Sequence, residues 1–332
     1  MISDAAGTPA PGRLPSGAPP NVIGIDLGGT QLRVALVDAV GRVLRAERQR
    51  TDAGGGPDAV IAQMHAMIEA VRDRGTTAIG VGLPGTFDAA EGRVIHMVAL
   101  PGWRDVPLAR RLTELSGLPA ALENDAKVAA IGEWHAGAGR GCRSFAYVTV
   151  STGIGGGIVV DGRLLRGQGG LAGEIGHTRI AEHSERCNCG QRGCWEALAS
   201  GTALGRRARA AVTADPRCHL AVVAGDAPAT GEHAGRAARE GCAVAARVLE
   251  EEAVLLGVGF RNLQHLYAPE RIVVGGGVSA LLEEMRPTIE RTLREQLLPG
   301  FRPAEIVRAA LGDDAGLVGA AGVAREVLAR QG

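Results

Sequence analysis

The sequence predicts an α/β protein that is long enough for two domains. Apolar, strand-like runs alternate with helix-like segments along most of the chain, which is the pattern of an α/β fold. The length of 332 residues exceeds the about 250 to 300 residues at which one hydrophobic core usually stops growing. Glycine fills 50 positions, about twice its usual share, so the backbone is expected to turn tightly or to approach a ligand at many points.

The first half of the chain begins its regular structure at Asn21. The runs VIGIDL, LRVALVD and VLRAERQ predict three strands of a meander, and a helix over 57–74 leads to the strand AIGVGLP. Pro107 opens a second helix and Gly117 ends it, as these residues commonly do at helix termini. Strands and helices therefore alternate from the start.

The second half of the chain continues this alternation. The strand PAALE precedes a helix from Asn124 to about 138, and the strand FAYVTVS ends in TGIGGG. A hairpin with an Asp-Gly turn is expected over 158–180, and helices dominate over 202–265. RIVVGGGVS predicts a strand, a glycine turn and a helix, and a strand near 305–309 and a helix from about 315 end the chain.

The charge balance argues against nucleic acid or an anionic membrane as the main partner. Lys and Arg number 36, and so do Asp and Glu, whereas such partners need an excess of basic side chains. No window approaches the roughly 18 apolar residues of a membrane span. Residues 1–20 hold five prolines and no apolar block of signal-peptide length, which predicts a disordered Pro-rich tail and a cytoplasmic protein.

Three of the six cysteines lie close together and predict a metal site. Cys187, Cys189 and Cys194 fall within eight residues, and His177 precedes the first of them by ten. Three thiolates and an imidazole form the closed tetrahedral set of a structural zinc site, which a reducing compartment favours over a disulfide. The alternatives are three buried or redox cysteines, and His183 as the nitrogen ligand. The glycine-flanked GEIGH context favours His177.

Three glycine turns follow apolar strands, and each is suited to an anion. They are IDLGGT at 25–30, TVSTGIGGG at 149–157 and VVGGGVS at 273–279. Glycine has no Cβ to block the approach of a ligand to backbone N–H groups, and Thr30 and Thr152 add hydroxyl donors. Phosphate binding and simple tight turns both remain compatible with this pattern.

A fourth glycine motif does not fit a dinucleotide site. GVGLPG at 80–85 matches G-x-G-x-x-G after a strand, but Pro84 interrupts it and TFDAAEGR follows where such a site needs a helix. No G-x-x-x-x-G-K-[ST] sequence occurs. Neither a Rossmann domain nor a P-loop is therefore predicted.

Seven motifs in a fixed order resemble the ROK family of bacterial sugar kinases, within the actin/hexokinase-like ATPase superfamily. They are IDLGGT, LPG, ENDA, STGIGGG, GEIGH, CNCGQRGCWEALASG and GGGVS, and the match spans residues 21 to about 325. The CxCGxxGCxE segment is very specific. The resemblance implies a two-domain, ribonuclease H-like α/β fold with mixed sheets flanked by helices.

The resemblance also implies how the domains divide the chain. A smaller N-terminal domain would comprise 21–122 plus about 313–332, after the tail of 1–20. A larger domain would comprise 123–312 and include the zinc-binding segment 177–194. The family also contains repressors with an N-terminal helix-turn-helix, but a Pro-rich tail precedes the first strand here. A DNA-binding repressor is therefore not expected.

Roles in the phosphorylation of a hexose are implied by the same resemblance. Asp125 would be the general base at the sugar hydroxyl, and Asn124 would hold a neighbouring hydroxyl. His177 would serve zinc with one ring nitrogen and the sugar with the other. The implied substrate-binding residues are Gly85, Asn124, Asp125, Glu174, His177 and Glu196. Without this context, Asn124 and Asp125 would be an ordinary helix N-cap and first-turn acid, and Glu123 is expected to help shape the site.

ATP, Mg²⁺ and structural Zn²⁺ are the cofactors that the resemblance implies. Asp26 and its glycine turn would face the phosphates and magnesium, and the two later glycine turns would take the phosphates and the adenosine. The implied nucleotide-binding residues are Asp26, Gly28, Gly29, Thr30, Gln31, Thr152, Gly153, Gly155, Gly156, Gly275, Gly276 and Gly277. Two positions depart from the family pattern. Gln31 replaces a common Lys, which weakens a charged phosphate contact there, and Lys127 follows Asp125 but is expected to face elsewhere on the helix.

The expected reaction is phosphorylation of glucose at its 6-hydroxyl, because Glu174 in GEIGH fits glucokinase-like members of the family. N-acetylmannosamine, N-acetylglucosamine or mannose is the alternative substrate, and a non-catalytic sugar-sensing regulator is the alternative class. The expected partners are the sugar and ATP, with no nucleic acid and no membrane, in a homodimer or homotetramer.

Overall fold

The fold consists of two five-stranded sheets, one three-stranded sheet and the helices that flank them. This computed structural model describes residues 20–97, 99–182 and 185–331. The α/β class with mixed sheets is therefore confirmed. The predicted tail up to residue 19, and His183 as the alternative nitrogen ligand, lie outside the described residues.

The strands, in chain order, are β1 (Val22–Leu27), β2 (Gln31–Val37), β3 (Val43–Arg50), β4 (Ile79–Leu83), β5 (Thr86–Asp88), β6 (Arg93–His96), β7 (Arg104–Val106), β8 (Ala120–Asn124), β9 (Phe145–Val150), β10 (Ile154–Val160), β11 (Arg163–Leu164), β12 (Arg271–Gly275) and β13 (Glu305–Arg308). The α-helices are α1 (Gly56–Val71), α2 (Leu108–Ser116), α3 (Asp125–His135), α4 (Trp195–Ala199), α5 (Gly201–Ala214), α6 (His219–Ala224), α7 (Gly231–Arg239), α8 (Ala243–Tyr267), α9 (Leu282–Arg294) and α10 (Ala315–Gln331).

The first sheet has the strand order β3-β2-β1-β4-β8. Strands β1, β2 and β3 pair antiparallel as the predicted meander, and this register sets Asp26 opposite Arg33. Strands β1, β4 and β8 pair parallel. Because the carboxyl ends of parallel strands meet at one edge, Asp26 and Asn124 come to the same edge of this sheet.

The second sheet has the order β11-β10-β9-β12-β13. Strand β9 pairs antiparallel with β10 and parallel with β12, and Thr149 lies opposite Gly275. The turn that follows β9 and the glycine turn that follows β12 therefore leave the sheet at the same edge. Two of the three glycine turns of the sequence are neighbours for this reason.

Two closely packed helices connect the sheets. Helix α10 packs against β1 and β4, α3 packs against β9 and β10, and the two helices pack against each other. Glycines allow this approach: a Cβ on Gly319 would lie 1.6 Å from the Val128 carbonyl oxygen, and one on Gly132 would lie 2.5 Å from the Ala315 carbonyl oxygen. The start of α3 is thus held between both sheets.

Each large sheet has its own apolar core. The first packs on α1 and α2 and includes the buried Trp103. The second packs under α4 to α9, where Trp195 and Phe260 meet edge to face with ring centroids 5.6 Å apart. Among the helices that the structure describes, none combines the length and the apolar character needed to cross a bilayer.

Three segments differ from their prediction. Strands β5, β6 and β7 form a small sheet in a stretch for which no strand was predicted. Gly155 and Gly156 lie inside β10, paired with β9, instead of at the exit of β9. A Cβ on Gly155 would lie 3.0 Å from the Ala126 Cβ and one on Gly156 would lie 2.3 Å from the Ile175 Cδ1, so glycine here allows close packing. The predicted hairpin over 158–180 shrinks to the β10–β11 pair, although it turns at Asp-Gly as expected.

Candidate active site

The segment from Asn124 to Asp125 begins α3 at the edge of the first sheet. The Oδ1 atom of Asn124 accepts the backbone N–H groups of Ala126 at 3.1 Å and of Lys127 at 3.2 Å, which makes Asn124 the N-cap. The helix start is therefore fixed by Asn124 itself, and Asp125 is the first residue of the helix. Both residues of this pair face the cavity described below.

The protein environment makes the carboxyl group of Asp125 a weaker acid than an ordinary aspartic acid. Its side chain is exposed on the wall of a cleft, yet the surrounding protein removes enough water to raise its pKa. The N–H of Ala126, 2.8 Å from Oδ1, lowers the pKa, and the negative charges of Asp26 and Glu174 raise it. The net effect is a raised pKa, which is the direction that suits a proton acceptor working near neutral pH.

A cavity of about 400 Å³ brings together four of the predicted sugar-binding residues. Its polar lining side chains include Asn124, Asp125, Glu174 and Glu196. His177 and Gly85 are not among the lining residues. Gly85 instead adopts a φ of 108° beside the small sheet, and a Cβ there would lie 2.6 Å from the His96 carbonyl oxygen.

Glu196, at the start of α4, joins this cavity to the Cys/His segment. Its Oε2 atom accepts the backbone N–H of Ile154 at 3.0 Å. The Cys187 thiol lies 3.8 Å from its Oε1 atom. A Cβ on Gly153 would lie 2.3 Å from Oε2, so the carboxylate occupies the space that this glycine leaves.

The four predicted metal ligands are assembled into one cluster. The ligand atoms of His177, Cys187, Cys189 and Cys194 all lie within 4.8 Å of one another. The Nδ1 atom of His177 is 3.6 Å from the Cys187 sulfur, and the sulfurs of Cys189 and Cys194 are 3.6 Å apart. Three soft sulfur donors and one imidazole fit a closed tetrahedral zinc site.

The cysteines of this cluster differ in acidity. Burial raises the pKa of Cys187, and burial together with the neighbouring thiols of Cys187 and Cys189 raises that of Cys194 to about 12. The N–H of Gln191 lowers the pKa of the exposed Cys189. Because only thiolates bind zinc, a cation in this site would have to displace the proton of the buried Cys194.

Asp26 is held by an arginine that the sequence analysis missed. The Nε atom of Arg33 donates to Asp26 Oδ2 at 3.0 Å and a second guanidinium nitrogen donates to the same oxygen. The third nitrogen donates to the Asp313 carbonyl oxygen at 2.6 Å. The hairpin register could have revealed this pair, because a turn over Gly28–Gln31 sets Asp26 opposite Arg33.

A larger cavity of about 850 Å³ lies on the other side of Asp125. Asp26, Arg33, Asp125 and Arg308 line it, together with the backbone of Gly275–Gly277. It shares Asp125, Tyr147, Thr149 and Ser151 with the smaller cavity, so the two form one cleft. A third cavity of about 570 Å³ continues from Ser151 and Gly277 toward Val278 and Leu281.

The predicted nucleotide-binding glycines differ in what they face. Gly28 donates its N–H to the Gln31 carbonyl oxygen at 2.8 Å and closes the β1–β2 turn, and no residue of Gly28–Gln31 is among those lining the three cavities. Thr152 and Gly153 do line them. A Cβ on Gly275 would lie 2.3 Å from the Tyr147 hydroxyl, whereas a Cβ on Gly277 would meet no atom within 4 Å.

Buried charge lies directly behind the Asn124–Asp125 pair. The Glu123 side chain is 3% exposed and accepts the Nε–H of Arg166 at 2.7 Å. Lys127 is 2% exposed, and burial lowers its pKa against the opposing effect of Glu123 and Glu174. The expectation that Lys127 faces away from the cavity is consistent with its absence from the cavity lining.

Comparison with known proteins identifies the class and then the family. A crystal structure of a ROK family glucokinase from Streptomyces griseus, in complex with glucose and AMPPNP, superposes with a TM-score of 0.75 at 36% identity and covers 92% of this chain and 99% of that one. The fold is therefore the actin/hexokinase-like fold of sugar kinases. The ROK family model matches residues 22–327, and the chain belongs to the ROK family.

Two curated relatives match over nearly their whole length. A glucokinase of Streptomyces coelicolor is 37% identical over 311 residues, which cover 92% of this chain and 97% of that protein. An N-acetylmannosamine kinase of Citrobacter koseri is 34% identical over 303 residues, which cover 91% of this chain and 97% of that protein.

Proposed function

We propose that this protein is an ATP-dependent hexose kinase that phosphorylates the 6-hydroxyl of glucose. The observation that carries the proposal is the position of Asp125, on the boundary between the cavity of about 400 Å³ and the cavity of about 850 Å³. The smaller cavity suits one sugar and the larger one suits a nucleotide. The similarity to glucokinases supports glucose as the sugar.

The smaller cavity has the chemistry of a sugar site. A hexose has many hydroxyl groups and no charge, so its binding requires hydrogen-bonding side chains that match those groups one by one. Asn124, Glu174 and Glu196 supply such groups in the cavity wall. Because the Nδ1 atom of His177 faces the thiols, its Nε2 atom would be the nitrogen for a sugar hydroxyl. His177 and Gly85 lie outside the lining of this cavity, so their predicted contacts with the sugar would require the cleft to close.

Asp125 would accept the proton of the 6-hydroxyl as that oxygen attacks the γ-phosphorus of ATP. Its raised pKa makes the carboxylate a stronger base than an ordinary aspartate. The negative charges of Asp26 and Glu174 favour transfer of the proton to Asp125. Asn124 caps α3 with Oδ1 and thereby fixes the position from which Asp125 acts.

The larger cavity would hold the triphosphate between side chains and exposed backbone. Asp26 offers the carboxylate oxygens that Mg²⁺ prefers, and Arg33 and Arg308 offer positive charge to phosphate oxygens. A bound Mg²⁺ would neutralise charge on the transferred phosphoryl group. The predicted nucleotide contacts of Gly28, Gly29, Thr30 and Gln31, and of Thr152, Gly153, Gly155 and Gly156, lie outside the lining of this cavity and remain predictions.

The Cys/His cluster would hold a structural Zn²⁺. His177, Cys187, Cys189 and Cys194 supply a donor set of the right composition and leave no position for a reacting water. The cluster contacts Glu196 through Cys187, so the metal would fix one wall of the sugar cavity. The metal would stabilise the shape of the sugar cavity and would take no part in the phosphoryl transfer.

The two large sheets would move relative to each other as domains. We assign 21–122 plus about 313–332 to a smaller domain and 123–312 to a larger one, with the cleft between them. Closure over the sugar would keep water from replacing the 6-hydroxyl as the acceptor.

The expected homodimer or homotetramer remains a prediction.

A coupled assay of ADP release over a panel of sugars tests this function. Glucose is expected to give the highest kcat/KM, and N-acetylmannosamine is the second candidate because of the N-acetylmannosamine kinase relative. ADP release that does not depend on any sugar would contradict the proposal, and so would inactivity toward every hexose and N-acetylhexosamine tested. Specific binding to an operator DNA without turnover would favour a sugar-sensing regulator.

A further inference from the structure

The loop over 166–173, which leads from β11 to Glu174, is rich in glycine. Four of its glycines adopt positive φ angles between 62° and 95°, namely Gly167, Gly169, Gly170 and Gly173. Glycine has the widest conformational freedom of any residue, so such a backbone has little stiffness of its own. The position of Glu174 at the end of this loop therefore depends on contacts that the loop makes with the rest of the protein.

Arg166 attaches the start of this loop to both β8 and α10. Its Nε–H donates to Glu123 Oε2 at 2.7 Å, and its Nη2 donates to Glu326 Oε2 at 2.6 Å. Its carbonyl oxygen accepts the N–H of Ala172 at 2.8 Å, so the same residue also closes the loop on itself.

Glu123 connects Arg166 to Asn124, the residue that caps α3. While Oε2 accepts from Arg166, the Oε1 atom accepts the backbone N–H of Asn124 at 3.1 Å. One nearly inaccessible carboxylate thus holds both the loop and the residue that caps α3.

Lys127 makes a second attachment near the end of the loop. It lies on α3, two residues after Asp125, and its Nζ donates to the Gly170 carbonyl oxygen. Its Cε lies 3.5 Å from the position that a Cβ of Gly173 would occupy. The loop is therefore fixed at both ends to the strand and helix that carry Asn124 and Asp125.

Holding a loop with buried charged groups costs desolvation free energy, so the use of such groups here requires an explanation. Removing Lys127 and Glu123 from water costs free energy that an apolar contact would not cost. Directional hydrogen bonds, however, fix the register of a backbone that has no side chains to pack, whereas an apolar contact allows it to slide. The contacts hold Glu174 in the lining of the same cavity as Asn124 and Asp125.

We propose that Arg166 and Lys127 are positioning residues of the sugar site, which clamp the glycine-rich loop against Glu123 and α3 and thereby hold Glu174 in place before the sugar enters. The inference rests on the proposed hexose kinase function for the identity of the ligand. The clamp itself is a property of the ligand-free protein. The two parts can therefore be tested separately.

Amide hydrogen exchange of the ligand-free protein tests the clamp. In Arg166→Met and Lys127→Met, the amides of Leu171 and Ala172, which donate to Gln168 and Arg166 carbonyl oxygens, are expected to exchange about 10-fold faster or more. Arg163→Met is the matched control, because Arg163 is exposed on β11 three residues before Arg166. Unchanged exchange at Leu171 and Ala172 in both variants would overturn the inference, whatever the activity of the protein.

Steady-state kinetics test the link from the clamp to the sugar. Each variant is expected to raise the KM for the hexose about 10-fold or more, because small displacements of a positioning contact weaken substrate binding strongly. The KM for ATP is expected to stay within about twofold of the wild type, because the nucleotide side of the cleft is untouched. Arg166→Lys keeps one charged contact and is expected to lie between Arg166→Met and the wild type.

The two arms separate failure of the clamp from failure of the proposed function. Faster loop exchange with an unchanged hexose KM, or with equal rises in the KM values of hexose and ATP, would overturn the positioning role. A wild type without hexose kinase activity would contradict the proposed function, while the exchange arm still decides the clamp. If Arg166→Met does not fold, Glu326→Gln weakens one of the two arginine contacts, and a smaller rise in loop exchange is then expected.

Discussion

The proposed sugar side and the proposed nucleotide side of the cleft are built from different parts of the chain. On the sugar side, the side chains of Asn124, Asp125, Glu174 and Glu196 line the cavity. On the proposed nucleotide side, the glycine turn of Gly275, Gly276 and Gly277 lines the larger cavity, and Gly276 and Gly277 are exposed. Specificity for an uncharged sugar requires side chains of defined chemistry, whereas a triphosphate can be held by backbone N–H groups and a few charges.

Glycines in similar motifs therefore have different structural roles: some allow other protein atoms to pack closely, and others leave open space. A Cβ on Gly153 or on Gly275 would collide with a side-chain oxygen of Glu196 or of Tyr147, each at 2.3 Å. These glycines make room for other protein atoms. Gly277 has no protein atom within 4 Å of the position of a Cβ, so it leaves open space on the cavity wall.

The largest expected effect belongs to the sugar side. Asp125→Asn keeps the size of the side chain but removes the base, so kcat is expected to fall by about 10² to 10⁴. Calorimetric titration with glucose should show that sugar binding is retained. Asp161→Asn, in the exposed β10–β11 turn, is the matched control and is expected to leave kcat unchanged. A kcat for Asp125→Asn above about a tenth of the wild-type value would remove Asp125 from the role of base.

Loss of the metal is expected to have the next largest effect. Metal analysis of freshly purified, unchelated protein should find about one zinc per chain. Cys194→Ser removes a ligand that is 1% exposed, so zinc should be lost and the melting temperature should fall. Cys242→Ser, at a buried cysteine far along the chain from the cluster, should retain the zinc. A wild type free of zinc, or a Cys194→Ser protein with its full content, would contradict the assignment.

Adjacent glycines on the nucleotide side sharpen the comparison. Gly276 has a φ of 77°, and a Cβ there would lie 2.4 Å from the Val150 carbonyl oxygen. Gly276→Ala is therefore expected to cost about 1 to 3 kcal/mol of stability, measured by denaturant unfolding. Gly277→Ala is expected to change stability by less than about 0.5 kcal/mol and to raise the KM for ATP. Equal stability losses in both variants would remove the distinction between packing and access.

The smallest expected effect is on the pH dependence of stability. Because the pKa of Asp125 is raised, the folded protein binds this proton more tightly than the unfolded chain. The stabilisation from this group is therefore complete below the ordinary aspartate pKa of about 4 and is lost as the pH rises through the folded-state value. Asp125→Asn should accordingly melt slightly higher than the wild type at pH 7, and the difference should disappear below about pH 4. A lower melting temperature at pH 7 would contradict the cause assigned to the shift.

The α/β class and the sugar side could be predicted from the sequence because their signals are local. Asn124 and Asp125 follow a strand and begin a helix, and the Cys/His spacing lies within one short segment. Both patterns can be recognised in the sequence without knowing which distant residues they contact in the folded structure. The family resemblance supplied the roles of these residues, and the order of the motifs supplied the fold.

The remaining features depend on contacts between distant parts of the chain. Arg33 reaches Asp313, and Arg166 reaches Glu326, across separations that no local pattern encodes. Gly155 and Gly156 were predicted as an exit turn because glycine usually marks turns, yet close packing against α3 and Ile175 places them in a strand. Local composition alone does not distinguish a glycine that turns the chain from one that admits a neighbour.

The identity of the product tests the central claim most directly. Purified protein is incubated with Mg²⁺, ATP and glucose, and ADP and glucose 6-phosphate are determined in the same sample, the latter with a specific dehydrogenase. Equal amounts of ADP and glucose 6-phosphate are predicted, because Asp125, which lines both cavities, would accept the proton of the 6-hydroxyl. ADP without a sugar phosphate, or a phosphate on another hydroxyl, would contradict this account.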